Sequence, residues 1–171
     1  MTGRVSDRRA IARLVAYDRI VFENFQRGAE RRGWAWASKN RETGHRTVKD
    51  TLAHILNVYE AWLVAVAQGE WTVFDDDRRR PANIGRWADL RAYRDRVWAG
   101  VDRLLKGLTD ADLERRVKAP WMPGRYTLAD AFYQVSFEQA HHLGEVIAVH
   151  YQLDLQPPSM TWIENRPPGG R

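Results

Sequence analysis

The chain has 171 residues, 44% of them hydrophobic and 29% charged, the composition of one globular domain spanning residues 1–171 with a core of useful size. It has no cysteine, which excludes disulfides and a thiol nucleophile of its own; no apolar run reaches the ~20 residues that cross a bilayer, and Met1–Arg9 lacks the apolar segment of a signal peptide, so the expectation is a cytoplasmic chain with no membrane partner. The net charge of +5 does not point to nucleic acid, because the basic residues (all arginine except Lys39, Lys49, Lys106 and Lys118) are scattered among acids, as in Asp75-Asp76-Asp77-Arg78-Arg79-Arg80.

Four segments carry helical periodicity and none carries sustained strand alternation. The first starts after Ser6, a serine N-cap with Asp7 in the first turn, and places Ile11, Leu14, Val15, Val21, Phe22 and Phe25 on one stripe. Asp18 falls on that stripe, an odd position for an acid. The segment is expected to dissolve across Gly28 to Gly33, followed by a polar loop from about Lys39 to Arg46. The second opens at Thr47 with Asp50 three residues on, close to a capping box, and carries Val48, Leu52, Ile55, Leu56, Tyr59, Trp62 and Leu63 to about Gly69. Glu70 to Arg86, with its Asp and Arg runs, Pro81 and Gly85, reads as the least ordered stretch. The third runs from about Trp87 to Leu108 on Leu90, Tyr93, Val97, Val101 and Leu104. A short turn at Thr109–Leu113 and a non-helical, aromatic-rich loop at Lys118–Tyr126 follow, with Trp121 placed near a pocket mouth. The fourth opens on a second capping box, Thr127 and Asp130, and ends near Tyr151. The tail, 152–171, holds four of the seven prolines and is expected to pack partly back through Met160, Trp162 and Ile163. Together these predict an all-α four-helix bundle.

The fourth helix places Leu128, Ala131, Val135, Glu138, His142, Glu145 and Val149 on its inward seam. Its ends are apolar, as a core requires, but three ionisable groups occupy its middle. Burying them unpartnered costs several kcal/mol, of order the penalty for any unpaired buried charge. A metal ion would satisfy them. Glu138 and His142, four residues apart, point at one place, and His54 on the second helix is the natural third donor, giving the two-imidazole, one-carboxylate set of catalytic zinc sites. The plainer alternative is an i, i+4 pair between Glu138 and His142, repeated one step round by His141 and Glu145, with His54 a hydrogen-bonded core residue. His45 and His150, near helix ends, read as surface residues.

Thr47-Val-Lys-Asp-Thr-Leu-Ala-His54, Glu138-Gln-Ala-His-His142-Leu-Gly-Glu145 and the Pro-Pro-Ser-Met-Thr-Trp tail resemble the DinB/YfiT-like superfamily over nearly the whole chain. The resemblance implies a four-helix bundle of up-up-down-down type, often dimeric, with a divalent metal on His54, Glu138 and His142. It implies zinc first, with nickel or manganese as alternatives. Most similar sequences have histidine where Glu138 stands and glutamine where Glu145 stands; the Glu variant is similar to that of the mycothiol-dependent maleylpyruvate isomerase branch. A carboxylate hardens the donor set.

Branches of known chemistry use a low-molecular-weight thiol, bacillithiol or mycothiol. A chain without cysteine must take its sulfur from such a cosubstrate, and the catalytic group is then expected to be a metal-bound water or thiolate. The implied function is a metal-dependent S-transferase or isomerase acting on an electrophilic small molecule. A non-catalytic metal-binding or stress-response bundle, and a metal-free helical interaction module, are the alternatives. Arg41, Arg46, Arg86 and Arg125 are candidates to meet the carboxylates of the thiol. Asp18, Asn57, His141 and Glu145 are candidates to orient the ligands. The rings of Tyr17, Trp87 and Trp98, set at the edges of their stripes, point to a homodimer, or else to cover by Trp162 and Ile163 of the tail.

Overall fold

The computed structural model describes residues 7–41 and 44–168; Ser6, the expected cap of the first helix, lies outside them. In chain order, α1 spans Asp7–Arg32, α2 is a single turn at Trp34–Ala37, and α3 spans Val48–Tyr59. The latter continues as a π-helical stretch, Glu60–Val66. After three short 3-10 turns come α4 (Trp87–Gly107), the two-residue strands β1 (Arg116–Val117) and β2 (Tyr126–Thr127), α5 (Leu128–Gln152) and the turn α6 (Trp162–Asn165). The strands pair antiparallel, Arg116 opposite Thr127 and Val117 opposite Tyr126. The four long helices enclose one core of buried apolar side chains, the all-α bundle that the periodicity predicts.

Local chemistry sets the helix starts. The Thr47 hydroxyl accepts from the Asp50 amide at 3.0 Å, and Thr127 and Asp130 form the complete reciprocal box, so α3 and α5, the two helices bearing the candidate ligands, begin at fixed residues. Helix α1 does not break at Gly28 as expected; it runs on to Gly33, whose φ of +90° ends it. Gly28 serves a packing need instead. A Cβ there would stand 3.1 Å from Cγ of Pro158, so the missing side chain lets the tail lie against the helix.

The stretch from Glu70 to Arg86 is irregular but pinned. Buried Glu60, at the start of the π-helical stretch, accepts from Arg79 Nε at 3.0 Å and from the Tyr93 hydroxyl at 2.9 Å. Arg96 bridges Glu60 and Asp76. Lys49 donates to the Pro81 carbonyl at 3.1 Å, and Ile84 is buried. A buried carboxylate with three donors is satisfied, whereas losing one partner would leave charge in the core. Helix α4 approaches the π-helical stretch at Gly100, where a Cβ would fall 2.7 Å from Val64 Cγ2.

Two aromatic expectations change. Trp98 is buried edge-on against Phe22 and Tyr59, and Trp87 meets Trp34 edge-on at 5.0 Å. Tyr17 packs against Trp162 with the rings tilted, 4.9 Å between centroids, and donates to the Met160 carbonyl. These rings are consumed within the chain, so the tail accounts for Tyr17, although Ile163 itself stays exposed. Asp18 is buried, its Oδ2 accepting from Tyr59 and Ser136. Burial raises its pKa from 3.8 to about 6, against the lowering effect of those two hydroxyls.

Two predictions follow from this packing. Gly100→Ala should destabilise the fold by roughly 1–2 kcal/mol in urea unfolding, overpacking outweighing the helix-propensity gain of about 1 kcal/mol, and Val64→Ala should restore most of it. For Asp18 the native state binds the proton more tightly than the unfolded chain, so its contribution is present at low pH and is lost as pH rises from about 4 through about 6. Wild-type stability relative to Asp18→Asn should therefore fall by about 2–3 kcal/mol between pH 4 and pH 7; a difference independent of pH would contradict the buried-acid account.

Candidate metal centre

The site lies where α3 packs against α5, each helix started by its Thr–Asp cap. From α3 comes His54; from α5 come Glu138, His142 and Glu145. The rings of His54 and His142 meet edge-on at 4.6 Å between centroids. A third imidazole joins them from the turn before α3. His45 stacks on His54 at 3.9 Å and meets His142 at 4.7 Å. One donor nitrogen from each of His45, His54 and His142 lies within 4.8 Å of the others. His45 is thus not the surface residue that its position near a helix end suggested. Its sequence signal was absent, because a turn has no periodicity to betray which side chain points inward.

His142 is buried and both of its ring nitrogens face carboxylates. Nε2 lies 3.2 Å from Glu138 Oε2, and Nδ1 lies 3.2 Å from Glu145 Oε2. The Glu138 carboxylate is held in turn by Gln134, whose amide donates to Oε1 at 2.9 Å. A neutral imidazole has one N–H and can donate to only one of these carboxylates, and the other ring nitrogen then offers a lone pair beside a carboxylate oxygen, a donor pair suited to a cation. A divalent ion satisfies that geometry: 3.2 Å is close to the ~3.3 Å edge of a tetrahedron with zinc-type bonds of about 2.0–2.1 Å. Burial, with the adjoining His45 and His142, lowers the His54 pKa to about 4, and burial likewise lowers that of His45. Both rings are neutral at pH 7, with lone pairs available for a metal. The donor chemistry fits a divalent ion. Glu138, however, belongs to neither tight donor grouping among the described residues; these are His45, His54, His142 and His141, His142, Glu145.

The supporting candidates divide. Glu145 meets His142 directly, and exposed His141 lies ring to ring with it at 4.8 Å. Asn57 donates to the Ala53 and Arg79 carbonyls, both at 3.0 Å, and so ties the Glu70–Arg86 stretch to α3. Asp18 serves Tyr59 and Ser136, and its backbone carbonyl accepts from Gln139. Neither Asn57 nor Asp18 has a histidine among these partners. His150 is buried, not superficial, its Nδ1 bonded to the Val146 carbonyl at 2.8 Å.

Beside His54 opens a cavity of about 320 Å³ whose walls include Trp62, Phe74, Arg79 and Trp121. Trp121, 47% exposed, stands at its mouth as the loop composition suggested, edge-on to Trp62 and Phe74. Its cation is Arg79, over the Phe74 ring at 4.6 Å. Of the arginines singled out from the sequence, Arg41 lies over Trp36, Arg86 pairs with Asp89, and Arg46 and Arg125 are exposed. No described helix is long and apolar enough to cross a membrane.

If Glu145 orients His142 through Nδ1, Glu145→Ala should weaken divalent-metal binding by about 10–100-fold in a chelator competition while the metal-free fold keeps its helical circular dichroism. Equal affinities would remove Glu145 from the site.

A family model described as DinB superfamily matches residues 21–146, from the middle of α1 through the part of α5 that carries Glu138, His142 and Glu145. No curated protein sequence matches the chain.

Proposed function

The chain belongs to the DinB superfamily, and from that premise we propose that it holds a divalent metal on His54, Glu138 and His142 and acts as a metal-dependent transferase or isomerase joining a low-molecular-weight thiol to an electrophilic small molecule. The observation that carries this reading is His142, buried with a carboxylate facing each ring nitrogen beside the neutral His54. When bound, the ion supplies a Lewis acid that lowers the pKa of an incoming thiol, the sulfur this chain lacks. Zinc suits the imidazole-rich set best, and the carboxylate keeps nickel and manganese in reach.

The chain's own residues do the rest. Glu145 orients His142, and Gln134 fixes one oxygen of Glu138 so that the other faces inward. The aromatic walls of the cavity beside His54 exclude water and receive a flat, apolar electrophile, with Arg79 at its edge for an anionic substituent. A non-catalytic metal-binding or stress-response bundle is the competing reading. Activity with a thiol and an electrophile separates the two.

The active form is proposed to be a cytoplasmic homodimer. Its support is no longer Tyr17, Trp87 and Trp98 but the outer face of α5, where Phe137 is 72% exposed and Tyr133 and Tyr151 are also exposed. Light scattering should give about twice the chain's 19.9 kDa; a mass near 20 kDa would contradict the dimer.

Protein purified without a histidine tag should carry near-stoichiometric metal, lost in His54→Ala and weakened in Glu138→Ala, while Glu138→His should retain it. Chelator should lower the melting temperature, since an ion absent from the unfolded chain adds its binding free energy to folding. Equal metal content in all four proteins would sink the ligand assignment.

A further inference from the structure

The turn before α3 places His45 deliberately. The Thr47 amide donates to the His45 carbonyl at 2.7 Å, and the Arg41 amide to the Arg46 carbonyl at 2.7 Å. Arg46 sits at φ +66°, in the left-handed region that a non-glycine residue adopts only when its surroundings hold it there. Gly44 presses on α5, where a Cβ would fall 2.9 Å from Glu145 Oε1. Backbone strain and close approach thus seat the turn over the carboxylate that faces His142. The result is the stacked pair His45–His54 and a donor grouping that includes His45.

We propose that His45 is a fourth protein ligand, closing the coordination sphere that His54, Glu138 and His142 begin, so that a thiol must displace it to reach the ion. This rests on the metal-binding reading above. Three donors on helices and one on a turn divide the work: the helical set is rigid, and the turn donor can leave without disturbing the bundle. Arg46 and Gly44 beside it are exposed, and among the described residues the Thr47–His45 and Arg41–Arg46 backbone bonds are local. A site with four protein donors has no open position at rest, whereas catalytic zinc sites with three donors keep one for water or substrate.

The test uses the full chain loaded with Co(II), whose visible spectrum reports coordination. Wild type, His45→Ala, His45→Gln and His54→Ala are compared, each checked for helical circular dichroism. His45→Ala and His45→Gln should still bind one ion per chain, with affinity at least about tenfold lower by chelator competition. Titrated with 2-mercaptoethanol, both should develop the near-ultraviolet sulfur-to-cobalt band at several-fold lower thiol concentration than wild type. Unchanged affinity and an unchanged thiol titration in the His45 variants, with metal lost in His54→Ala, would overturn the fourth ligand and leave the metal site standing. Absence of bound metal in wild type would overturn both.

Discussion

A buried imidazole between two carboxylates is the constraint around which this bundle is arranged. As a neutral ring His142 donates to only one of Glu138 and Glu145, and the rings of His45 and His54 pack against it. The core also buries other polar groups, Asp18 and Glu60 among them, but the contact of α3 with α5 is where imidazoles and carboxylates gather.

The remaining buried charges are handled differently, and the contrast is informative. Glu60 is surrounded by Arg79, Arg96 and Tyr93, which satisfy it within the protein. Asp18 takes two hydroxyl donors, and burial raises its pKa enough to leave it partly protonated near pH 6. Each of these acids has its answer among its neighbours. The histidine cluster gathers imidazole nitrogens and carboxylates into a donor set that could hold a divalent cation. The Glu60 network also links the two halves of the site, because Arg79 both neutralises Glu60 and edges the cavity beside His54.

Much of this was legible in the sequence because it is local. Thr47 with Asp50 and Thr127 with Asp130 announce where α3 and α5 begin, and from those points the 3.6-residue period sends His54 and His142 inward. Asp18, conspicuous on an apolar stripe, is indeed buried, though its partners are hydroxyls from α3 and α5 that no spacing reveals. His45 was illegible for the same kind of reason: Gly44 against Glu145 joins residues a hundred positions apart. Gly28 misled because glycine signals a break more often than a close approach, and here the partner is Pro158. Trp98 misled because its position beside Val97 left open whether a neighbouring helix would cover it; Phe22 and Tyr59 do.

X-ray absorption at the zinc edge, on untagged protein loaded with one zinc per chain, tests the central claim most directly. The account predicts a shell of nitrogen and oxygen at about 2.0–2.1 Å with the outer-shell scattering of two or more imidazoles. An oxygen-only shell without imidazole scattering would contradict a metal centre at the contact of α3 and α5.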